Sequence, residues 1–211
     1  MKTPTKTADT ANGHHNPNHA GEAEMERATT DFGEPWRAPT EIEENPVGLE
    51  REAVEELLPK LDALQSSFWV LYHQYHKHHW LVEGPQFHDL HLFLEQHYQE
   101  VHAHLDALAE RMTALGGIPT SDPVRQAELA CFKHEPEGTY RIRPSLRHDI
   151  AAEGQLAIKL RDAIDAALDV GDHGTKRLLE KILFMTEDRA HHIEHFLGED
   201  SLEIGRPGPN S

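Results

Sequence analysis

From Val54 onward, apolar residues recur at Leu57, Leu58, Leu61, Leu64, Phe68, Leu71 and Tyr75. Steps of three and four keep them on one stripe of an α-helix, which predicts an amphipathic first helix ending near Glu83-Gly84-Pro85. The period resumes at Phe87, Leu90, Leu94, Val101, Leu105, Leu108 and Met112, with Pro85 expected in the first turn of the second helix, where a missing N–H is tolerated. Gly116-Gly117 after Leu115 suits a left-handed C-terminal cap. Pro119 and Pro123 then open a long connection, expected to run to about Arg143 and to hold one short helix. A third helix is expected from Pro144 through Leu146, Ile150, Leu156, Leu160, Ile164 and Leu168 to a stop at Gly171. A fourth follows from about Thr175 through Leu179, Ile182, Leu183, Ile193 and Phe196 to Gly198. No alternating strand pattern competes with this reading.

Four helices of about 22 to 30 residues, with the one long connection between the second and third, predict an all-α, ferritin-like four-helix bundle rather than a simple up-and-down one. The bundle is expected over residues 46–200. Residues 1–45 carry Asn, Thr, Pro, Gly and acids without apolar periodicity, and so read as a flexible tail that buries too little surface to offset its ordering entropy. Residues 201–211 form a short Pro/Gly-rich C-terminal tail. His14, His15 and His19 in the first tail are read as solvated rather than metal-binding.

Charge narrows the function. There are 37 acidic against 20 basic residues, a formal net charge of −17, which favours attraction of cations and opposes a phosphate backbone. Neither tail has a lysine cluster, so DNA binding is not expected. The single cysteine, Cys131, cannot make an internal disulfide, the N-terminus lacks the apolar segment of a secretory signal, and no long apolar run is present. A cytoplasmic protein without a membrane span is expected.

Histidine is the anomaly: 18 in all, nine of them between His73 and His104. On the second helix, His91, Glu95, His102 and Asp106 stand at successive steps of 4, 7 and 4, with Glu110 four residues further. At about 100° per residue the first four fall within about 60° of one another and Glu110 about 40° beyond, forming one ligand-bearing stripe. A charged, solvated helix face produces the same pattern. Two features favour a metal. One is the imidazole density beside the stripe, with His78-His79-Trp80 ending the first helix where the turn leads back toward His91. The other is the geometry of the stripe, and its nitrogen and oxygen donors with open positions suit Fe(II) better than structural zinc, which wants cysteines.

One chain cannot close such a site. His91 and Asp106 are 15 residues apart, roughly 22 Å along a helix, whereas ligands of one metal sit within about 2 to 2.5 Å of it. Two copies of the second helix packed antiparallel about a two-fold axis near residue 100 would bring His91 and Glu95 of one chain to Asp106 and Glu110 of the other, giving two equivalent centres in a homo-oligomer.

His79-Trp80, Gly84-Pro85, Phe87, Leu90-His91, Asp106, Ala109-Glu110-Arg111, Leu115-Gly116-Gly117 and Pro119 together resemble the signature of the DNA-binding proteins from starved cells, the Dps family. The resemblance covers roughly residues 50 to 200. It implies a ferroxidase centre at a dimer interface, with metal ligands His79, His91 and Glu95 from one chain and Asp106 and Glu110 from its partner. Many members have aspartate where Glu95 stands. The resemblance further implies iron as substrate, hydrogen peroxide as the preferred oxidant with oxygen as the alternative, a shell of twelve subunits, and ferric mineral stored inside it. Trp80, beside His79, becomes a candidate electron donor to stray oxidants, with plain packing as the alternative. Asp165, Asp169, Asp172 and His173 resemble an acidic stretch that lines an iron pore, and a solvated helix end fits them equally. His191 and His195, one turn apart, have metal-binding spacing, with a polar face as the simpler account. His73, His76, His88, His97, His102 and His148 are candidates for secondary sites. Ferritins that keep a di-iron site inside one bundle use Glu-x-x-His, a pattern found nowhere here. The competing readings are a DNA-coating protein and a passive scavenger of zinc or copper.

Overall fold

The computed structural model describes Met25 and residues 33–198. Among these residues there are five α-helices and no strand: α1 (Arg51–Leu81), α2 (Phe87–Ala114), α3 (Pro123–Leu129), α4 (Ile142–Asp169) and α5 (His173–Phe196). All five belong to the second of the chain's two units, Pro39–Ser211. Most of both expected tails lies outside the described residues, and so do His14, His15 and His19. No helix among the described residues is long and apolar enough to cross a membrane.

The hairpins α1/α2 and α4/α5 pack through the apolar stripes, burying Leu61, Leu64, Phe68, Leu71, Leu94, Leu105, Leu108, Leu156, Leu160, Leu179 and Ile182 in one core. The short helix in the long connection is α3, capped by Asp122, whose side chain accepts from the N–H groups of Val124 (2.7 Å) and Arg125 (2.9 Å), with Pro123 at its start. Two helix starts differ from expectation. Helix α1 begins at Arg51 and carries Pro59 inside it. Burial of Leu57, Leu61 and Leu64 on the same stripe holds the turn that the missing N–H weakens. Pro85 lies in the turn before α2 rather than in its first helical turn, because Phe87 N–H closes onto Gly84 O (3.0 Å) and Gly84, at φ 109°, takes the reversal. At the other end of α2 Gly116 has φ 84°, as a left-handed cap requires, and a Cβ there would meet the Glu43 carbonyl oxygen at 2.3 Å.

The long connection is pinned to α1 by buried polar groups. Glu135 accepts from Lys77 Nζ (2.7 Å) and Ser145 Oγ (2.7 Å), and its N–H donates to Gln74 Oε1 (3.0 Å). His78 bridges two carboxylates, with Nδ1 at 2.8 Å from Asp149 and Nε2 at 3.2 Å from Glu135. Burial works against charge on His78, but the bonds and charges of Asp149 and Glu135 outweigh it and raise its pKa.

In the middle of the bundle, Arg189 and Glu153 are almost wholly buried, at 1% and 0% exposure. The guanidinium donates from Nε to Glu153 Oε1 (2.6 Å) and from Nη2 to Oε2 (3.1 Å) and Thr186 Oγ1 (3.1 Å). Tyr75 O–H also donates to Glu153 (2.7 Å), and Arg189 Nη1 to His104 Nδ1 (3.4 Å). His104 must therefore be neutral, and burial with the charges of Arg189 and Lys181 lowers its pKa to about 3. His97 is held neutral in the same way, its pKa lowered to about 3 by burial, then Arg189 and His192, and its buried Nδ1 has no partner.

Two consequences are measurable. Removing one member of the pair leaves a buried charge unpaired, so Glu153→Gln and Arg189→Ala are each expected to lower unfolding free energy by about 3–5 kcal/mol in urea titrations. The imidazoles of His97 and His104 take up protons near 6.5 when unfolded but only near 3 when folded, so their contribution is lost as pH falls below the unfolded value. His78 has the opposite sign, its contribution fading as pH rises through its raised folded pKa. Thermal midpoints should therefore drop as pH falls below 6.5, and His97→Phe, which removes one such site and an unpaired buried nitrogen, should flatten that limb.

Candidate metal centre

The turn at 82–86 sets the end of α1 against the start of α2, and there His79 and His91 stack with ring centroids 3.7 Å apart and planes 23° from parallel. Each ring donates Nδ1–H to the other's backbone carbonyl, at 2.9 Å in both directions. A nitrogen that donates to a carbonyl carries the proton, so in the neutral form of each ring the lone pair lies on Nε2. Metal-binding histidines are commonly oriented by just such bonds from the second ring nitrogen. Glu95 follows one turn after His91, half-buried, with Gln99 Nε2 donating to it at 3.4 Å.

Asp106 and Glu110 are exposed on the far part of the same unbroken helix. That end is held by Arg111, which donates from Nε to Thr175 Oγ1 (2.7 Å) and from Nη2 to both oxygens of Asp172 (2.7 and 2.9 Å). Among the described residues no group of three or more His, Cys, Asp or Glu side chains is placed to hold a metal ion. The chain thus brings His79 and His91 together, carries Glu95 one turn along α2 from His91, and leaves Asp106 and Glu110 apart. The donor set itself, two oriented imidazoles with a carboxylate one turn on, fits Fe(II). The described buried carboxylates are already partnered: Glu153 by Arg189, Asp149 by His78 and Gln74, Glu135 by Lys77 and His78, and Asp172 by Arg111.

Several expectations change. Asp172 is the N-cap of α5, buried, accepting from Thr175 N–H (2.9 Å) and from Arg111, and so is not available to line a pore; only Asp165, Asp169 and His173 are exposed there. Trp80 is 67% exposed and stacks on His76 (5.1 Å between centroids) rather than packing in the core. His148 is committed to the Lys133 carbonyl (3.0 Å). His191 and His195 bring their Nε2 atoms to 3.1 Å on an exposed face. Tyr98, absent from the expected set, has its ring 5.3 Å from that of His79. Its signal was present, since seven residues after His91 it falls on the ligand stripe. Nothing in the sequence marked Arg111 as the brace for α2, because Asp172 and Thr175 lie more than sixty residues away.

Residues 58–202 match the family model described as ferritin-like domain. The chain is 43% identical over 165 residues to a nutrient stress-induced DNA-binding protein of Synechococcus sp., covering 78% of this chain and 94% of that protein. It is 41% identical over 154 residues to a DNA protection during starvation protein of Halobacterium salinarum, covering 73% and 85%. This chain belongs to the Dps branch of the ferritin-like family. Among solved structures, the archaeal Dps homologue from H. salinarum superposes with a TM-score of 0.77 at 38% identity, over 81% of this chain and 96% of that one.

Gly84 sets the imidazole pair, because its φ of 109° is one that residues with a Cβ rarely adopt. Gly84→Ala is expected to cost about 1–3 kcal/mol in strain and to weaken the absorption band of Co(II) bound at His79 and His91, measured by thermal melting and metal titration.

Proposed function

We propose that this chain is the subunit of an iron-oxidising and iron-storing shell, with ferroxidase centres shared between two copies of α2. The observation that carries the reading is the mutual orientation of His79 and His91, the latter on a stripe whose Asp106 and Glu110 sit too far along one helix to join them. An antiparallel partner supplies the missing carboxylates: His79, His91 and Glu95 of one chain with Asp106 and Glu110 of the other hold two Fe(II) ions as substrate. Hydrogen peroxide accepts one electron from each ion and, with two protons, leaves as two waters, so no hydroxyl radical is released. A closed shell of twelve subunits would keep the ferric product inside. The net charge of −17 favours Fe(II) accumulation.

Two variants, His91→Ala and Asp106→Ala, test the shared centre. Each alone lacks a ligand in every centre and should be nearly inactive in peroxide-driven Fe(II) oxidation. In a mixed dimer one centre carries both lesions and the other carries none. Random co-assembly gives about half mixed dimers, so about a quarter of wild-type centres should return. Activity that stays at the single-variant level, in assemblies shown to contain both chains, would refute ligand sharing.

The names of the relatives favour a second reading, DNA binding. Charge opposes it: among residues 1–45 the basic side chains are Lys2, Lys6, Arg27 and Arg37, too few and too scattered for phosphate neutralisation. Duplex DNA is expected to migrate unretarded with this protein at moderate salt, and a strong salt-sensitive shift would reverse that conclusion.

A further inference from the structure

The last turns of α5 carry a second pair of imidazoles, on a helix that gives no ligand to the proposed iron centre. His191 and His195 are both exposed, with Nε2 atoms 3.1 Å apart and ring centroids 4.4 Å apart. Four residues is close to one helical turn, so both rings leave the helix on one face, one above the other. His192 lies beside them, its ring 6.1 Å from that of His191, but its Nδ1 faces Asp188 Oδ2 at 3.7 Å.

A hydrogen bond between the rings is the simpler account of the contact, with one Nε2 donating its proton to the lone pair of the other. Three observations go beyond it. The first is the bite of the pair. Two nitrogens each about 2.0 to 2.1 Å from one metal ion, at an angle of about 100°, stand about 3.1 Å apart. The rings already have this separation, so loss of the shared proton and a small rotation of each ring bring both lone pairs to a common point. The second is that the rings are not spent elsewhere. Among the described residues neither bonds a carbonyl or a carboxylate, whereas His78 is held by Asp149 and Glu135, His79 and His91 by each other's backbone, and His148 by the Lys133 carbonyl. The third is charge. Asp188 precedes His191 by three residues and Glu194 is next to His195, in a chain of net charge −17, so a cation is attracted to this face.

The donors select the ion. Imidazole pairs suit the late divalent metals, and affinity for a given nitrogen site rises along that series to a maximum at Cu(II). The proposed iron centre differs in its carboxylates, Glu95, Asp106 and Glu110, which suit Fe(II). We propose that His191 and His195 form a capture site for Cu(II), chelated through both Nε2 atoms, with water in the remaining positions. No third His, Cys, Asp or Glu side chain among the described residues is placed to complete it. Open positions of this kind mark an exchangeable site rather than a structural one. The chain thereby holds Cu(II) on α5, apart from the ligands of the iron centre on α1 and α2. The site does not depend on the ferroxidase reading.

Cu(II) titration of the assembled full chain, followed by calorimetry and electron paramagnetic resonance, tests the chelate. His14, His15 and His19 are replaced by Ala in the parent and in every variant, so that they cannot mask the change. His191→Ala and His195→Ala should each weaken one Cu(II) per chain at least about tenfold, because the second arm of the chelate is lost. Each should also remove the hyperfine pattern of two equivalent imidazole nitrogens. The neighbouring His192→Ala should leave count and affinity as in the parent. Two separate substitutions at exposed helical positions, with assembly checked by light scattering, guard against a variant that fails to fold. Unchanged count and affinity in both pair variants, or an equal loss in His192→Ala, would overturn the chelate. Competition in which Fe(II) or Zn(II) displaces Cu(II) from the pair would overturn the choice of ion.

Discussion

A straight α-helix advances about 1.5 Å per residue whatever its sequence, and this rigidity governs what α2 can do. The helix runs unbroken from Phe87 to Ala114, so the imidazole at His91 and the carboxylate at Asp106 remain on one face yet far apart. Chemistry that needs both must come from two helices. Every other part of the site follows from keeping α2 straight and anchored. Its start is held by the reversal at Gly84 and the paired ring-to-carbonyl bonds of His79 and His91, and its far end by the grip of Arg111 on Asp172 and Thr175.

The interior is arranged so that it does not compete. Ferritin-like bundles can place metal ligands between their helices, and Glu153 with Tyr75 and His104 nearby has the composition for it. Arg189 takes up that space instead. Its guanidinium satisfies the carboxylate with two bonds and forces His104 into the neutral form. A fixed cation inside the bundle both repels a metal ion and removes the free carboxylate it would need. The histidines consequently divide by surroundings: His97 and His104 are buried and neutral, His78 is locked between two carboxylates, and His79 and His91 stand half-exposed with Nδ1 bonded to each other's carbonyl. Identical side chains act as core filler, ion-pair partner or candidate ligand according to what desolvates and bonds them.

Periodicity carried most of the fold. Leu57, Leu61, Leu64, Phe68 and Leu71 are all buried as their spacing requires, and the long connection does hold a short helix. Errors fell at helix ends, where local hydrogen bonding decides: Pro85 lies outside α2 because Gly84 O had to close the turn. For the centre, the ligand stripe and its inability to close within one chain were legible, since both depend only on helix pitch and rise. The role of Asp172 was not. A carboxylate near a helix start reads identically whether it caps that helix or faces a pore, and only the approach of Arg111 makes Asp172 a cap.

The sequence by itself therefore determined which residues are helical, which face of each helix is apolar, and that His91 and Asp106 of one chain cannot share a metal. These are properties of one helix at a time. Tertiary structure alone decided that Arg189 neutralises Glu153, that Tyr75 and His104 join them, and that His79 and His91 orient one another. The physical reason is that such contacts span 36, 78, 85 and 12 residues of chain. Each depends on the rotation and axial offset of one helix against another, and hydrophobic period constrains these only to the width of the apolar stripe.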